Sequence, residues 1–440
     1  MKYEEVIQSV MENIKSGFYK NGTRLPSVRK MSSKYDVNKS TVIRAYEELE
    51  EKHVIYSIPK SGYYVIDGHT DKNSPDRMID FSQITPDEKM LPFREFNHCI
   101  NRAVDIYKSE LFEYGDTQGL YSLRKATSNY FMTQNIYTKP DNICITNGAH
   151  QGFSILSCMN FPGGRKKILI EQPTYAEAQG IIEFSRCEFV TVGRNENGLD
   201  MKAVEKIFKE EDIKFFYTMS RFHNPLGTHL HLNQKKQLIE LAVKYNVYIV
   251  EDDFLADIEA EGRNLPLFYY DINSRVIYLK SFSKSFMPGV RLGCVIVGDE
   301  LLEEFLRVKR CYDINTSVLS QGALELFITS GMYLAQIRKI RNTYENKNKV
   351  FTEQIKYLDK AYRYIRPEES GYIFWMNLHN QIDSTVLTKK LLDLGVKVSD
   401  GKQFLVKDSD INGIRLSIAS LSNEQVRHGI KTIYDSIKRE

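Results

Sequence analysis

Lys284 sits in Ser281-Phe282-Ser283-Lys284-Ser285, between the β-rich runs Val276-Ile277-Tyr278-Leu279 and Cys294-Val295-Ile296-Val297, with Arg291 seven residues on. A lysine at the end of a buried strand loses solvation, and its pKa falls toward the range where the neutral amine is a nucleophile. Ser281, Ser283 and Arg291 offer hydroxyls and a guanidinium to a phosphate beside it. Covalent attachment of pyridoxal phosphate (PLP) requires that arrangement. A solvated loop lysine satisfies the same spacing, so the rest of the chain must decide.

The elements that would position such a lysine follow a regular pattern. From residue 79, short β-rich runs at 142–146, 167–171, 189–192, 214–219, 248–252, 275–279 and 292–297 alternate with amphipathic helical segments. Near-continuous apolar strands alternating with helices predict an α/β domain with a mostly parallel sheet covered on both faces. Ligands in such sheets bind at strand ends and helix N-termini. The polar punctuation falls there. Thr146-Asn147-Gly148-Ala149-His150-Gln151 either cradles a phosphate with its amides or simply starts a helix. Tyr175, in Glu171-Gln172-Pro173-Thr174-Tyr175, either stacks on a flat ring or joins the core. Asn224, in His223-Asn224-Pro225-Leu226-Gly227, offers an amide on what also reads as a plain turn. Asp252, in Glu251-Asp252-Asp253, ends an apolar strand. A carboxylate buried there needs a cation, which a protonated pyridine nitrogen or a structural arginine would supply.

In this order, these motifs resemble the fold-type I aminotransferases from about residue 80 to the C-terminus. The resemblance implies Lys284 as the Schiff-base lysine, Asp252 as partner of the pyridine nitrogen, Asn224 as contact to the ring hydroxyl and Tyr175 as the stacking ring. It implies that Gly148, Ala149, Ser281, Ser283 and Arg291 hold the phosphate. Tyr114, in Tyr114-Gly115-Asp116-Thr117-Gln118-Gly119, matches a tyrosine that reaches the partner subunit's phosphate. Arg415, in Asn412-Gly413-Ile414-Arg415-Leu416-Ser417, takes the role of the arginine that binds a substrate carboxylate, for which a guanidinium has bidentate geometry. One position departs from the family pattern: Phe254 stands where relatives often carry a tyrosine bonded to the ring hydroxyl. Asn224 is left to make that contact alone, which puts full transamination in question more than cofactor binding.

The first 67 residues read differently. Val6, Ile7, Val10, Met11 and Ile14 fall at helical spacing, and Gly17 ends that helix. Ser27 is a natural N-cap for a short helix carrying Val28, Met31 and Tyr35 inward; after a turn at Asp36-Val37-Asn38, a third helix buries Val42, Ala45, Tyr46 and Leu49. Residues 54–58 and 63–66 flank Pro59-Lys60-Ser61-Gly62 as a hairpin. Helix, short helix, turn, helix and β-wing make a winged helix-turn-helix. Lys20, Arg24, Arg29, Lys30, Lys34, Lys39 and Arg44 cluster around the turn and the start of the third helix, while Glu47, Glu48, Glu50 and Glu51 lie at its far end. That is the polarity of a recognition helix. Leu25-Pro26-Ser27-Val28-Arg29, Val37-Asn38-Lys39-Ser40-Thr41-Val42, Ala45-Tyr46-Glu47-Glu48-Leu49 and Ser61-Gly62-Tyr63-Tyr64-Val65 resemble the GntR-type DNA-binding domain. The resemblance implies that Arg29, Lys39, Ser40, Thr41 and Arg44 face DNA, with Ser61 and Gly62 at the wing tip.

The whole chain, a winged helix at 1–67, a polar linker at 68–78 and an aminotransferase-like domain at 79–440 with a small α+β subdomain from about 320, resembles the MocR-type transcription regulators. The resemblance implies a homodimer that binds double-stranded operator DNA and senses, through PLP, a small amino compound or PLP itself. A working aminotransferase with an accessory DNA-binding domain is the alternative. Composition sets the outer limits. With 440 residues there is room for at least two domains. A net charge of +3 does not by itself argue for nucleic acid. Six scattered cysteines, with no C-x-x-C, read as reduced core residues of a cytoplasmic protein. No apolar run approaches membrane-spanning length and no His cluster has metal spacing, so neither membrane nor metal is expected.

Overall fold

A computed structural model of the chain describes residues 2–20, 22–51, 54–58, 61–66, 78–259, 264–356, 364–365, 371–406 and 409–438. The chain divides into two compact units, Met1–Arg77 and Met78–Glu440. The expected linker, apart from its last residue, lies outside the described residues, as do Pro59 and Lys60 of the hairpin turn.

In the first unit, helices α1 (Lys2–Lys15), α2 (Val28–Tyr35) and α3 (Lys39–Glu51) precede a two-stranded antiparallel wing, β1 (Ile55–Ile58) and β2 (Gly62–Val65). Ser27 caps α2 by accepting from the backbone N–H of Lys30. Val6, Val10, Met31, Val42, Ala45, Tyr46, Leu49, Ile55 and Val65 close one core. The Tyr46 hydroxyl donates to the carbonyl of Pro26 at 2.8 Å, tying α3 to the start of α2.

The second unit is built on an eight-stranded sheet of β3 (Ile143–Thr146), β4 (Lys167–Gln172), β5 (Phe189–Asn195), β6 (Gly198–Leu199), β7 (Ile213–Thr218), β8 (Tyr248–Asp252), β9 (Val276–Ser281) and β10 (Gly293–Ile296). Their spatial order is β3-β10-β9-β8-β7-β4-β5-β6. Strands β9, β8, β7, β4 and β5 are mutually parallel, and β10 runs against both of its neighbours. Residues of β3, β7, β8, β9 and β10 are buried throughout, as expected for a sheet covered on both faces. Because β3 and β9 both oppose β10, the C-terminal ends of β3, β4, β7, β8 and β9 share one edge. A second, four-stranded antiparallel sheet includes β11 (Ile373–Asn377) paired to β12 (Gly413–Ser417), which carries Arg415. The long helix α4 (Met332–Lys356) packs on the C-terminal helix Asn423–Ile437.

All six cysteines are free. Cys99, Cys144 and Cys294 are buried, but Cys158 and Cys311 are exposed, contrary to the expectation of a core role, because each lies at or near the end of a surface helix. Among the described residues no helix is long and apolar enough to cross a membrane, and no cluster could hold a metal ion.

Candidate functional site

The shared strand edge frames a cavity of about 220 Å³. Its wall includes Ala149, Tyr175, Asn224, Asp252, Ser281, Ser283, Lys284 and Arg291, eight residues that the aminotransferase resemblance assigns to one cofactor. They come from five strand ends: Ala149 after β3, Tyr175 after β4, Asn224 after β7, Asp252 on β8, and Ser281, Ser283, Lys284 and Arg291 at and after the end of β9.

The amine of Lys284 is chemically unusual. Lys284 is half-buried; Lys214, Lys235, Lys280, Lys309 and Lys347 are fully buried, yet each of these donates to a carbonyl, carboxylate or amide oxygen. Lys284 makes no hydrogen bond or ion pair among the described residues. Burial, with Arg291 and then Arg415 adding positive potential, lowers its pKa to about 8, against the pull of Glu177. A neutral, unpartnered amine is therefore accessible near physiological pH.

Asp252 and Asp253 part company, as neighbours on a strand must. Asp253 is committed to Arg221, whose Nε lies 3.2 Å from Oδ1, and to the Tyr278 hydroxyl at 2.7 Å. Asp252 accepts from the Tyr217 hydroxyl through Oδ2 at 2.7 Å, while its Oδ1 is buried without a partner. Burial pushes its pKa up to about 7 despite that hydrogen bond, with Asp253 and Glu251 adding to the rise. A cation brought to Oδ1 would satisfy the orphaned oxygen and reverse the shift.

The opposite end of the cavity suits an anion. Arg291, itself in left-handed backbone at φ 56°, reaches Ser283 Oγ with Nη1 at 3.4 Å. Gly148 opens its helix at φ 77°, and a Cβ there would meet Arg291 Nη2 at 2.6 Å. Only glycine lets the guanidinium lie against that helix N-terminus, where backbone N–H groups point outward. An unpartnered amine, an orphaned carboxylate oxygen and an arginine over a helix start fit PLP in its aldehyde, ring-nitrogen and phosphate parts.

Arg415 does not line the cavity wall but is bonded to it. Its Nη1 donates to Asn224 Oδ1 at 3.1 Å, and its Nη2 to Ser399 Oγ at 2.9 Å and the Ser82 carbonyl at 2.5 Å. Its Nε is buried without a partner. Of the five guanidinium N–H bonds, Nε–H and one on Nη1 remain for a ligand oxygen. Tyr114 stands apart, 82% exposed. Phe254 forms part of the wall and has no group to donate. The sequence reading missed His150, whose Nε2 lies 2.9 Å from the Tyr175 hydroxyl, and the wall residues Ile84 and Met219. His150 did stand in the stretch that opens the helix after β3, but Ile84 follows no motif.

The loop that carries Asn224 is buried from 220 to 230. It is pinned from below by Glu171, which pairs with Arg194 at 2.6 Å and His223 at 3.0 Å. Burial opposes the charge on Glu171, but Arg194 and His223 outweigh it and hold the carboxyl at about 2. Replacing Arg194 with methionine strands that carboxylate. Unfolding by denaturant should show a loss of about 3–5 kcal/mol in the second unit.

On the first unit, Arg29, Lys39, Ser40 and Arg44 are exposed and Thr41 is half-buried, all on α2 and the first turns of α3. Ser61 and Gly62 open β2 at the wing, where Ser61 Oγ lies 2.6 Å from the Tyr64 hydroxyl. The structure adds Arg24 to the wing: it bridges Tyr64, and a Cβ on Gly62 would meet its Nε at 3.0 Å. On the far end of α3, Glu50 accepts from the backbone N–H of Ser57 at 2.7 Å, fastening helix to wing.

Residues 91–433 match the family of aminotransferases of class I and II, and residues 2–65 match the bacterial regulatory proteins of the gntR family. The HTH-type transcriptional regulator YcxD of Bacillus subtilis (strain 168) is 39% identical over 98% of this chain and 99% of its own length. The HTH-type transcriptional regulator YdcR of Escherichia coli (strain K12) is 26% identical over 98% of each chain. Among solved structures, a Pyrococcus horikoshii kynurenine aminotransferase in complex with PMP superposes with a TM-score of 0.76 at 24% identity, covering 82% of this chain and 91% of its own.

Proposed function

This chain belongs to the class I and II aminotransferase family with a gntR-family domain ahead of it, the MocR-type architecture, and from that premise we propose that it is a DNA-binding transcription regulator that senses an amino compound, or the cofactor itself, through PLP. The observation that carries this reading is that both halves are built in one chain. A winged helix with its own core presents basic residues at the start of α3, and a separate unit gathers Lys284, the free Oδ1 of Asp252 and Arg291 into one cavity. Members of the aminotransferase family use PLP. A winged helix has no part in transamination.

In this reading Asp252 holds the ring nitrogen, and Tyr175 forms a wall beside the ring. Asn224 faces the ring hydroxyl. Ser281, Ser283, Arg291 and the amides at Gly148 and Ala149 hold the phosphate. Bound there, PLP supplies an aldehyde that takes an amine covalently and a ring that withdraws electrons from it. Lys284 would provide that amine, and an effector amine would compete with it for the same aldehyde. Arg415 takes the effector's carboxylate with the N–H groups not held by Asn224, Ser399 and Ser82. Binding alters DNA affinity only so far as the effector favours one arrangement of the protein over another. The regulator acts in the cytoplasm as a homodimer, in which Tyr114 and the neighbouring exposed Phe112 meet the second copy.

Purified protein with PLP should show a visible absorbance band and retard operator DNA from its own genomic neighbourhood. A protein without either property would sink the proposal. With amino acids and 2-oxoglutarate, single-turnover assays should stop at effector capture; sustained keto-acid production would favour an enzyme instead. On the DNA side, Lys39→Ala should weaken binding uniformly across sequences and reduce the slope of log affinity against log salt by about 1. Arg29→Ala, if it reads a base, should cost about 1–3 kcal/mol and relax sequence preference; fluorescence anisotropy titrations at several salt concentrations separate the two.

A further inference from the structure

Below the Lys284 loop lies a buried polar cluster that takes no part in holding the cofactor. Asp257 is at its centre, in the short turn Ala256–Ile258 that follows β8. Its Oδ2 accepts from Lys280 Nζ at 2.6 Å and from the Tyr333 hydroxyl at 2.9 Å, and its Oδ1 from the Tyr130 hydroxyl. The Tyr333 hydroxyl is also 2.7 Å from Ser285 Oγ. The backbone carbonyl of Asp257 accepts from Arg341 Nε at 2.8 Å. Asp257, Lys280, Ser285, Tyr130 and Tyr333 are each at most 4% exposed.

The connectivity is informative. Lys280 lies four residues before Lys284 and Ser285 one residue after it, so Asp257 holds one side of the loop directly through Lys280 and the other through Tyr333. Tyr333 and Arg341 belong to α4, whose first turns therefore face the Lys284 loop. About 21 Å along the helix from Tyr333, at 1.5 Å per residue, Lys347 Nζ donates to the Ala419 carbonyl at 3.0 Å and, one residue on, Asn348 Nδ2 to the Gly371 carbonyl at 2.7 Å. Those carbonyls lie just beyond β12 and just before β11, the strands around Arg415. An ion pair buried only for stability is a poor investment, because desolvation offsets most of its attraction. Its hydrogen bonds instead fix a unique geometry.

We propose that Asp257 is a positioning residue for Lys284, clamping the lysine's loop from both sides to α4, the helix that also holds the Arg415 sheet. The inference rests on reading Lys284 as the cofactor's attachment point, and it deepens that reading: a shift of the Arg415 sheet on effector binding is carried by α4 to the loop that gives up the cofactor. Lys284 owes its low pKa first to burial, so a loosened loop admits water and returns the amine toward ordinary lysine behaviour.

The test measures the pH dependence of acylation of Lys284 by acetic anhydride in the full-length chain freed of cofactor, quantified on the peptide that carries it, with Tm followed in parallel. In the wild type the midpoint is expected near 8. Tyr333→Phe and Ser285→Ala should each raise it by roughly half a unit or more, and the double variant no further, because both remove one link. Asp257→Asn is harsher, since it leaves Lys280 without its counter-ion; the two conservative variants keep the proposal testable if that one fails to fold. A lowered Tm with an unmoved midpoint overturns the proposal, as does a wild-type midpoint at the ordinary lysine value. Absence of a PLP absorbance band would count against the cofactor reading alone, since the amine titration needs no cofactor.

Discussion

Lys284→Ala should abolish the visible absorbance band of the PLP-loaded protein and lower its retention of the cofactor by about 100-fold or more, the factor that about 2.7 kcal/mol gives. In the proposed reading the side chain supplies the covalent link, while Asp252, Ser281, Ser283 and Arg291, on the same cavity wall, keep only non-covalent holds on ring and phosphate. No neighbour can substitute. Lys280, the nearest lysine in sequence, is tied to Asp257 at 2.6 Å, and the other buried lysines among the described residues, Lys214, Lys235, Lys309 and Lys347, each have their own acceptor. Lys284→Arg should fail equally, because a guanidinium keeps its proton at any pH the protein survives. The consequence for regulation follows: the ratio of DNA affinities with and without effector, read by anisotropy, should fall to one in both variants. A band that persists in Lys284→Ala would place the attachment elsewhere and remove the basis of the sensing reading.

Much of this site could be read from sequence because of where parallel strands put their ends. A buried strand shows as a short apolar run, and the first polar residues after it mark the edge where ligands bind. Lys284, Asp252, Asn224, Tyr175 and Ala149 all follow such runs, and they meet in one cavity. What stayed hidden was whatever depends on three-dimensional neighbours rather than on spacing. Ile84 reaches the cavity from a stretch with no periodic pattern, and Met219 looks like any core residue at a strand end. Glu251-Asp252-Asp253 offers three acids, and alternation says only that the middle one faces away from the others. That Asp253 meets Arg221 while Asp252 keeps a free oxygen is set by a segment more than thirty residues away. The same holds for Arg24, which joins the wing through a bridge to Tyr64 forty positions on. Arg415 could be picked out by its motif, but its bond to Asn224 spans 191 residues, and only the fold shows that the two share a hydrogen bond.

Cofactor removal should change how stability depends on pH, and Asp252 sets the sign. In the cofactor-free chain its carboxyl is raised from 3.8 to about 7, chiefly by burial. A group whose folded pKa lies above its unfolded value stabilises fully below the unfolded pKa, and that contribution is lost as pH rises through the folded pKa. The empty protein should therefore weaken between pH of about 4 and 7, by at most about 4 kcal/mol across that window. With a cationic ring nitrogen at Oδ1 the carboxylate is the favoured form, and this loss disappears. The difference in Tm between loaded and empty protein should grow from pH 5 to pH 8. Two other strongly shifted groups do not imitate this. Lys284, lowered from 10.5 to about 8, titrates above the window. His229, held by burial at about 3, acts in the opposite direction but equally in both states, so it cancels in the difference. Asp252→Asn supplies the control, because an amide cannot titrate: its loaded-minus-empty difference should be small and nearly flat with pH. If the wild type and the asparagine variant show the same pH dependence, Asp252 does not hold the ring nitrogen, and the orphaned oxygen in the cavity must serve another cation.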